Sequence, residues 1–157
     1  MIKKKHKKRK EHSNRIGWRE WVAFPDLNVD SIKAKIDTGA RTSSLHAYDI
    51  QIDEGSNLVN FKIHPVQRSA KGEIRATAKL IDERSIKSSN GGLSIRPIIM
   101  TRIKIGNKLF PIELSLINRD LMGFRLLLGR SALKNHYLVD SGASFLIPQN
   151  NMKGSKP

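Results

Sequence analysis

The sequence predicts an all-β fold, a small barrel or sandwich that ends in one short helix. Three observations carry this reading: apolar residues recur with period two, the segments that show it are short, and turn-forming residues interrupt them at close spacing. Period two sends alternate side chains to opposite faces of an extended chain, so one face can be buried while the other stays in water. Strands this close together, with a single helix at the end, point away from a parallel α/β sheet.

Taken in order, residues 1–15 hold eight Lys and Arg against one Glu. Such a like-charge block buries no apolar surface and is read as a disordered basic arm. Strands are expected over 18–24, 31–36, 45–52, 58–64 and 73–81, divided by Pro25-Asp26, Glu54-Gly55-Ser56-Asn57 and Lys71-Gly72, and together they read as a meander. Segments 83–87 and 93–99 bracket Ser88-Ser89-Asn90-Gly91-Gly92, a polar glycine-rich tip suited to closing over a substrate. Segments 97–105 and 108–117 flank Gly106-Asn107, a two-residue spacing that suits a tight hairpin. The one helix candidate is 130–135, directly after Gly129. Residues 148–157, rich in Asn, Gly, Ser, Lys and Pro, read as a frayed tail, which leaves 16–147 as the domain.

A length of 157 residues suits one domain with its own core. Cysteine is absent, which excludes disulfides, thiolate catalysis and cysteine-based zinc sites. No apolar run approaches the roughly 20 residues of a bilayer span, and the basic N-terminus has no apolar secretory stretch. A soluble, cytoplasmic protein is therefore expected. The formal net charge of +15 favours anionic partners such as nucleic acid, ribosomes or acidic peptides without choosing among them.

Chemistry concentrates at Asp37-Thr38-Gly39-Ala40, which follows the apolar-periodic 31–36 segment. Gly39 lets the backbone turn and approach a substrate closely, and the Thr38 hydroxyl can hydrogen-bond a neighbouring loop. One carboxylate is insufficient for peptide hydrolysis: a base must activate water while a protonated group polarises the scissile carbonyl. Two carboxyls about 3 Å apart share one proton and divide these roles, and a two-fold dimer supplies the second from the same residue. Asp-Thr-Gly is also an ordinary turn sequence, so its surroundings decide.

Those surroundings are the glycine-rich tip and then Leu126-Leu127-Leu128-Gly129-Arg130, an apolar strand that runs into the short helix. This order resembles the retropepsin family of aspartic peptidases. The match is nearest to its bacterial branch catalogued as ATP-dependent zinc proteases. The resemblance runs through Gly17-Trp18-Arg19-Glu20-Trp21-Val22, Lys33-Ala34-Lys35-Ile36-Asp37-Thr38-Gly39-Ala40-Arg41-Thr42-Ser43-Ser44-Leu45-His46-Ala47, Phe61-Lys62-Ile63-His64-Pro65, Arg96-Pro97-Ile98-Ile99 and Asn118-Arg119-Asp120-Leu121-Met122-Gly123-Phe124-Arg125-Leu126-Leu127-Leu128-Gly129-Arg130. It implies a closed β-barrel of acid-protease type, a homodimer and aspartic endopeptidase activity, with Asp37 catalytic and Thr38 and Gly39 supporting it. It also implies company with ATP-grasp ligases that add glutamate tails, and hence processing of acidic-tailed proteins.

Substrate contacts are expected from Ala40, from Asn90, Gly91 and Gly92 at the tip, and from Arg41, Arg119 and Arg125, whose guanidinium groups match carboxylates. Arg41 has a second reading as a partner for a nearby carboxylate. No metal ligand or cofactor is assigned: the chain has neither His-Glu-x-x-His nor a Gly-x-x-x-x-Gly-Lys-Ser/Thr loop, and the spacing of His46, His64 and His136 matches no compact zinc pattern. Asp140-Ser141-Gly142-Ala143 repeats the Asp-x-Gly-Ala pattern, but too little chain follows for a second lobe, so it reads as a turn. Trp18 and Trp21 read as packing residues. The alternative from another class is a non-catalytic barrel that docks on ribosomes or RNA through its basic arm.

Overall fold

The computed structural model describes residues 14–66, 72–87, 91–119, 121 and 123–149. Expectations placed on residues 1–13, on Ser88, Ser89 and Asn90 of the tip, and on 150–157 lie outside them. The strands are β1 (Arg15–Gly17), β2 (Arg19–Phe24), β3 (Val29–Ile36), β4 (Ser43–His46), β5 (Tyr48–Asp53), β6 (Leu58–Ile63), β7 (Ile74–Lys87), β8 (Leu93–Ile105), β9 (Lys108–Ile117), β10 (Leu126–Leu128) and β11 (Leu138–Asp140). A 3-10 turn at Pro25–Leu27 joins β2 to β3, and the helix α1 is Arg130–Leu133.

Six strands close a mixed barrel. The order β2-β3-β10-β4-β9-β8 returns to β2 through the pairing of Ala23 with Lys104, and β7, β6 and β5 continue outward from β8. Inward residues alternate as period two requires: Ile32, Ala34 and Ile36 of β3 and Val59, Phe61 and Ile63 of β6 are all buried. They join Phe24, Leu45, Ile99, Ile103, Leu114, Leu116, Leu126 and Leu128 in one core. Closure leaves little of the barrel with an unpaired edge, the liability of an open sheet.

The expected barrel with one short helix is present, but the meander is only partial. Sequential antiparallel pairing holds from β5 to β9, whereas β3–β10, β4–β9 and β1–β11 are parallel. Parallel partners need long connections, and period two carries no information about them. The expected 45–52 strand is two strands, because the Ala47 N–H donates to the Ile117 carbonyl at 3.0 Å before the chain leaves β9, and Asp49 then takes φ +49°. The 73–81 and 83–87 segments are one strand with a register shift between Leu80 and Asp82 that absorbs Ile81. Segments 93–99 and 97–105 are likewise the single strand β8. The hairpin at Gly106-Asn107 forms as expected, with the positive φ on Gly106 at +59° and not on Asn107. The helix stops at Leu133, two residues before the expected end.

Arg15, placed with the basic arm by charge alone, belongs to β1, which pairs with β11. Beside this ribbon Glu20 is completely buried. Its carboxylate accepts the N–H groups of Gly17 (2.7 Å), Leu146 (2.8 Å) and Ile147 (3.1 Å), tying the two ends of the domain together.

Candidate active site

The Asp37 loop is built where β3 stops. The Asp37 N–H donates to the Leu128 carbonyl at 2.8 Å, which extends the β3–β10 ladder by one bond. Gly39 N–H then donates to Asp37 Oδ1 at 3.0 Å and Ala40 N–H to the Asp37 carbonyl at 3.3 Å. Local geometry does not single this turn out. Asp53 makes the same pair of contacts with Gly55 (3.0 Å) and Ser56 (3.3 Å), and so does Asp140 with Gly142 (3.0 Å) and Ala143 (3.2 Å).

A second chain segment singles it out. The Arg130 N–H donates to the Ala40 carbonyl at 2.8 Å and the Ser131 N–H to the Arg41 carbonyl at 3.0 Å, so loop oxygens satisfy N–H groups that a helix start leaves open. Arg130 Nη1 reaches the Thr38 carbonyl at 2.9 Å, and the Gly129 N–H donates to Ser43 Oγ at 3.0 Å. A Cβ on Gly129 would stand 2.8 Å from the Thr42 carbonyl carbon and 2.9 Å from the Ala40 oxygen, so only glycine admits this approach. Asp37 itself is partly buried, with Thr38 and Gly39 exposed beside it. The loop is thus rigid yet open, and the carboxylate keeps acceptor capacity for a water or a second carboxyl. Asp140 differs in that its carboxylate is engaged by Arg15 across the β1–β11 ribbon.

The other expected residues fall in three places. Ala40 and Arg41 are in the clamped loop, where the Arg41 side chain is exposed and in no ion pair among the described residues. Gly91 and Gly92 are exposed just before β8, with Gly91 at φ +87°, and Asn90 lies outside the described residues. Arg119 and Arg125 meet through His46, whose N–H donates to the Arg125 carbonyl at 2.8 Å and whose Nδ1 lies 2.7 Å from the Arg119 carbonyl. His46 is three residues along β4 from Ser43, about 10 Å. The structure therefore brings together the main chains of Arg119 and Arg125, while Arg125 Nε turns to the Val66 carbonyl at 3.5 Å, and it leaves the Arg41 backbone at the opposite end of that strand.

The histidines stand apart. His64 stacks on Tyr48 with centroids 4.6 Å apart, and His136 on Phe110 at 4.0 Å. Burial, then the charge of Lys108, holds the His136 pKa below the usual imidazole range. Among the described residues no three His, Asp or Glu gather as a metal-binding group. Trp18 packs edge-on against Phe124 and Trp21 stacks on Phe145.

Sequence reasoning gave no separate role to Glu20 or to Arg96, a buried arginine on β8. The signal for Arg96 is a charge inside the apolar run Ile95-Arg96-Pro97-Ile98-Ile99. The signal for Glu20 is a lone acid between two tryptophans.

A closed six-stranded mixed barrel, with an Asp-Thr-Gly loop seated on an apolar-Gly-Arg strand and a short helix, defines a retropepsin-like protein. The chain belongs to the RimB-like family, described as retropepsin-like aspartic endopeptidase RimB, whose model matches residues 15–150. It is 49% identical over 138 residues to a "Probable alpha-L-glutamate ligase" of Shewanella halifaxensis, covering 87% of this chain and 30% of that protein. It is 39% identical over 132 residues to a protein of the same name from Parasynechococcus marenigrum, covering 82% and 28%. The chain spans less than a third of the length of these curated relatives. Among solved structures it resembles Lpg0085 of Legionella pneumophila, a DUF785 protein of unknown function, at 27% identity and a TM-score of 0.68, covering 85% of this chain and 98% of that one.

Proposed function

We propose that this chain is an aspartic-type endopeptidase whose catalytic pair is Asp37 and the partner subunit's Asp37. The observation that carries the reading is the clamp: Gly129, Arg130 and Ser131 fix a loop whose turn geometry alone is commonplace. In the symmetric pair, one carboxylate takes a proton from the bound water as it attacks the scissile carbonyl. The other, holding the shared proton, donates it to the carbonyl oxygen, and the pair later returns a proton to the leaving amine. The hairpin tip that includes Gly91 and Gly92 closes over the peptide.

Acidic, glutamate-tailed proteins are the proposed substrates. Relatives named alpha-L-glutamate ligase contain a segment like this chain, and a hydrolase that trims what a ligase extends shares its acidic product. A net charge of +15 attracts such tails.

The test is to incubate the protein with glutamate-tailed and untailed ribosomal protein and to read the products by mass spectrometry. Tail-dependent cleavage is expected, with none from Asp37→Asn at unchanged melting temperature. Cleavage by that variant refutes the reading. Activity should survive a chelator and be blocked by a statine-type inhibitor, whereas loss with the chelator, restored by zinc, identifies a metallopeptidase instead.

A further inference from the structure

Strand β8 carries a buried guanidinium for which the described residues supply no carboxylate partner. Arg96 is only 8% exposed, and the next three residues, Pro97, Ile98 and Ile99, are buried with it. Its Nε is buried without a hydrogen-bond partner among the described residues. Burial, and then the like charge of Arg119, draws its pKa down, and no carboxylate among the described residues offsets them. Other arginines of the fold do the opposite: Arg102 reaches Asp26 at 2.6 Å and Arg84 reaches Glu113 at 3.0 Å. A desolvated guanidinium whose Nε has no acceptor among the described residues opposes folding, so the described contacts give Arg96 no stabilising role.

The space beside it suggests what the missing partner is. Arg96 and Arg119 line an open groove of about 480 Å³ whose other walls include Ile50, Ile52 and Leu116. Two cations above aliphatic walls match a side chain with a methylene stem and a carboxylate end. The groove is flanked by a fixed support, since the Arg119 carbonyl is 2.7 Å from His46 Nδ1. It also borders Ser94 and Ile95, close to the start of β8.

We propose that Arg96 and Arg119 form a subsite that receives the carboxylate of an acidic side chain of the peptide substrate. The word substrate rests on the peptidase reading above, but binding at the subsite does not. The full chain carrying Asp37→Asn, which cannot consume the probe, is titrated calorimetrically with tetraglutamate and with tetraglutamine. Tetraglutamate should bind and tetraglutamine should not. Arg96→Met and Arg119→Met should each weaken tetraglutamate binding at least about tenfold. Arg96→Met should also melt no lower than its parent, because it removes an uncompensated charge.

Equal binding of the two peptides, or unchanged affinity in Arg96→Met, overturns the proposal. If Arg96→Met fails to fold, the exposed Arg119 decides: a tenfold loss in Arg119→Met supports the subsite and unchanged affinity overturns it. Cleavage by the Asp37 chain is followed in parallel. Arginine-dependent binding without cleavage keeps the subsite and discards the peptidase, while cleavage indifferent to both arginines does the reverse.

Discussion

Three aspartates in this chain make the same turn, and their different fates rest on contacts far along the sequence. Asp37 is seated by Gly129 and Arg130, Asp140 is engaged by Arg15, and Asp53 closes an exposed hairpin with Ser56. Gly129→Ala would drive a Cβ into backbone atoms 2.8–2.9 Å away. It is expected to cost about 2 kcal/mol in denaturant unfolding and to abolish most cleavage, because the Asp37 loop must shift. Gly142→Ala is the control, since its Cβ meets only Asp140 Oδ1 at an ordinary 3.5 Å. A stability change well under about 1 kcal/mol is expected there. If the two variants behave alike, the clamp does not set the site. Asp37 was legible in the sequence because Asp-Thr-Gly has a recognisable form. Arg96 was not, because the lack of a partner is a property of three-dimensional surroundings.

Elements were legible where local pattern decides them and obscure where distant pairing does. The Gly106-Asn107 hairpin and β3 follow from turn chemistry and alternation, while the break at Ala47 answers to Ile117, seventy residues away. The segment after α1 offers a titration test. Tyr137 is partly buried, its hydroxyl finds no hydrogen-bond partner among the described residues, and its pKa is pushed up to about 12 by burial and then by Glu20. A phenol whose folded pKa lies above its ordinary 10.0 contributes stability that is intact below pH 10 and lost as pH rises toward 12. Tyr137→Phe should therefore cost less than about 1 kcal/mol at pH 7. Urea titrations from pH 9 to 11.5 should show a steeper loss in the wild type than in the variant, and parallel curves would remove Tyr137 as the cause. The β1–β11 ribbon depends instead on Glu20. Glu20→Ala leaves three backbone N–H groups without their acceptor and should destabilise the fold by about 3 kcal/mol in the same assay.

At the scale of the whole molecule, the two most exposed large apolar side chains among the described residues lie close together. Leu93 and Ile95 are 76% and 72% exposed on β8 directly after the glycine tip. Large exposed apolar side chains are a kind of surface that a second copy of the chain can cover. Composition predicted one domain, but nothing in period, charge or spacing speaks of self-association. The homodimer entered through resemblance and needs its own test. Wild-type chain is mixed with an equal amount of Asp37→Asn, subunits are allowed to exchange, and cleavage is measured per total protein. If each active site requires Asp37 from both subunits, only wild-type pairs work, and activity falls to about a quarter of that of the same amount of wild-type protein. If each chain works alone, half remains. Half activity, with exchange verified by mass-tagged subunits, would discard the shared dyad and leave Asp37 to act within one chain.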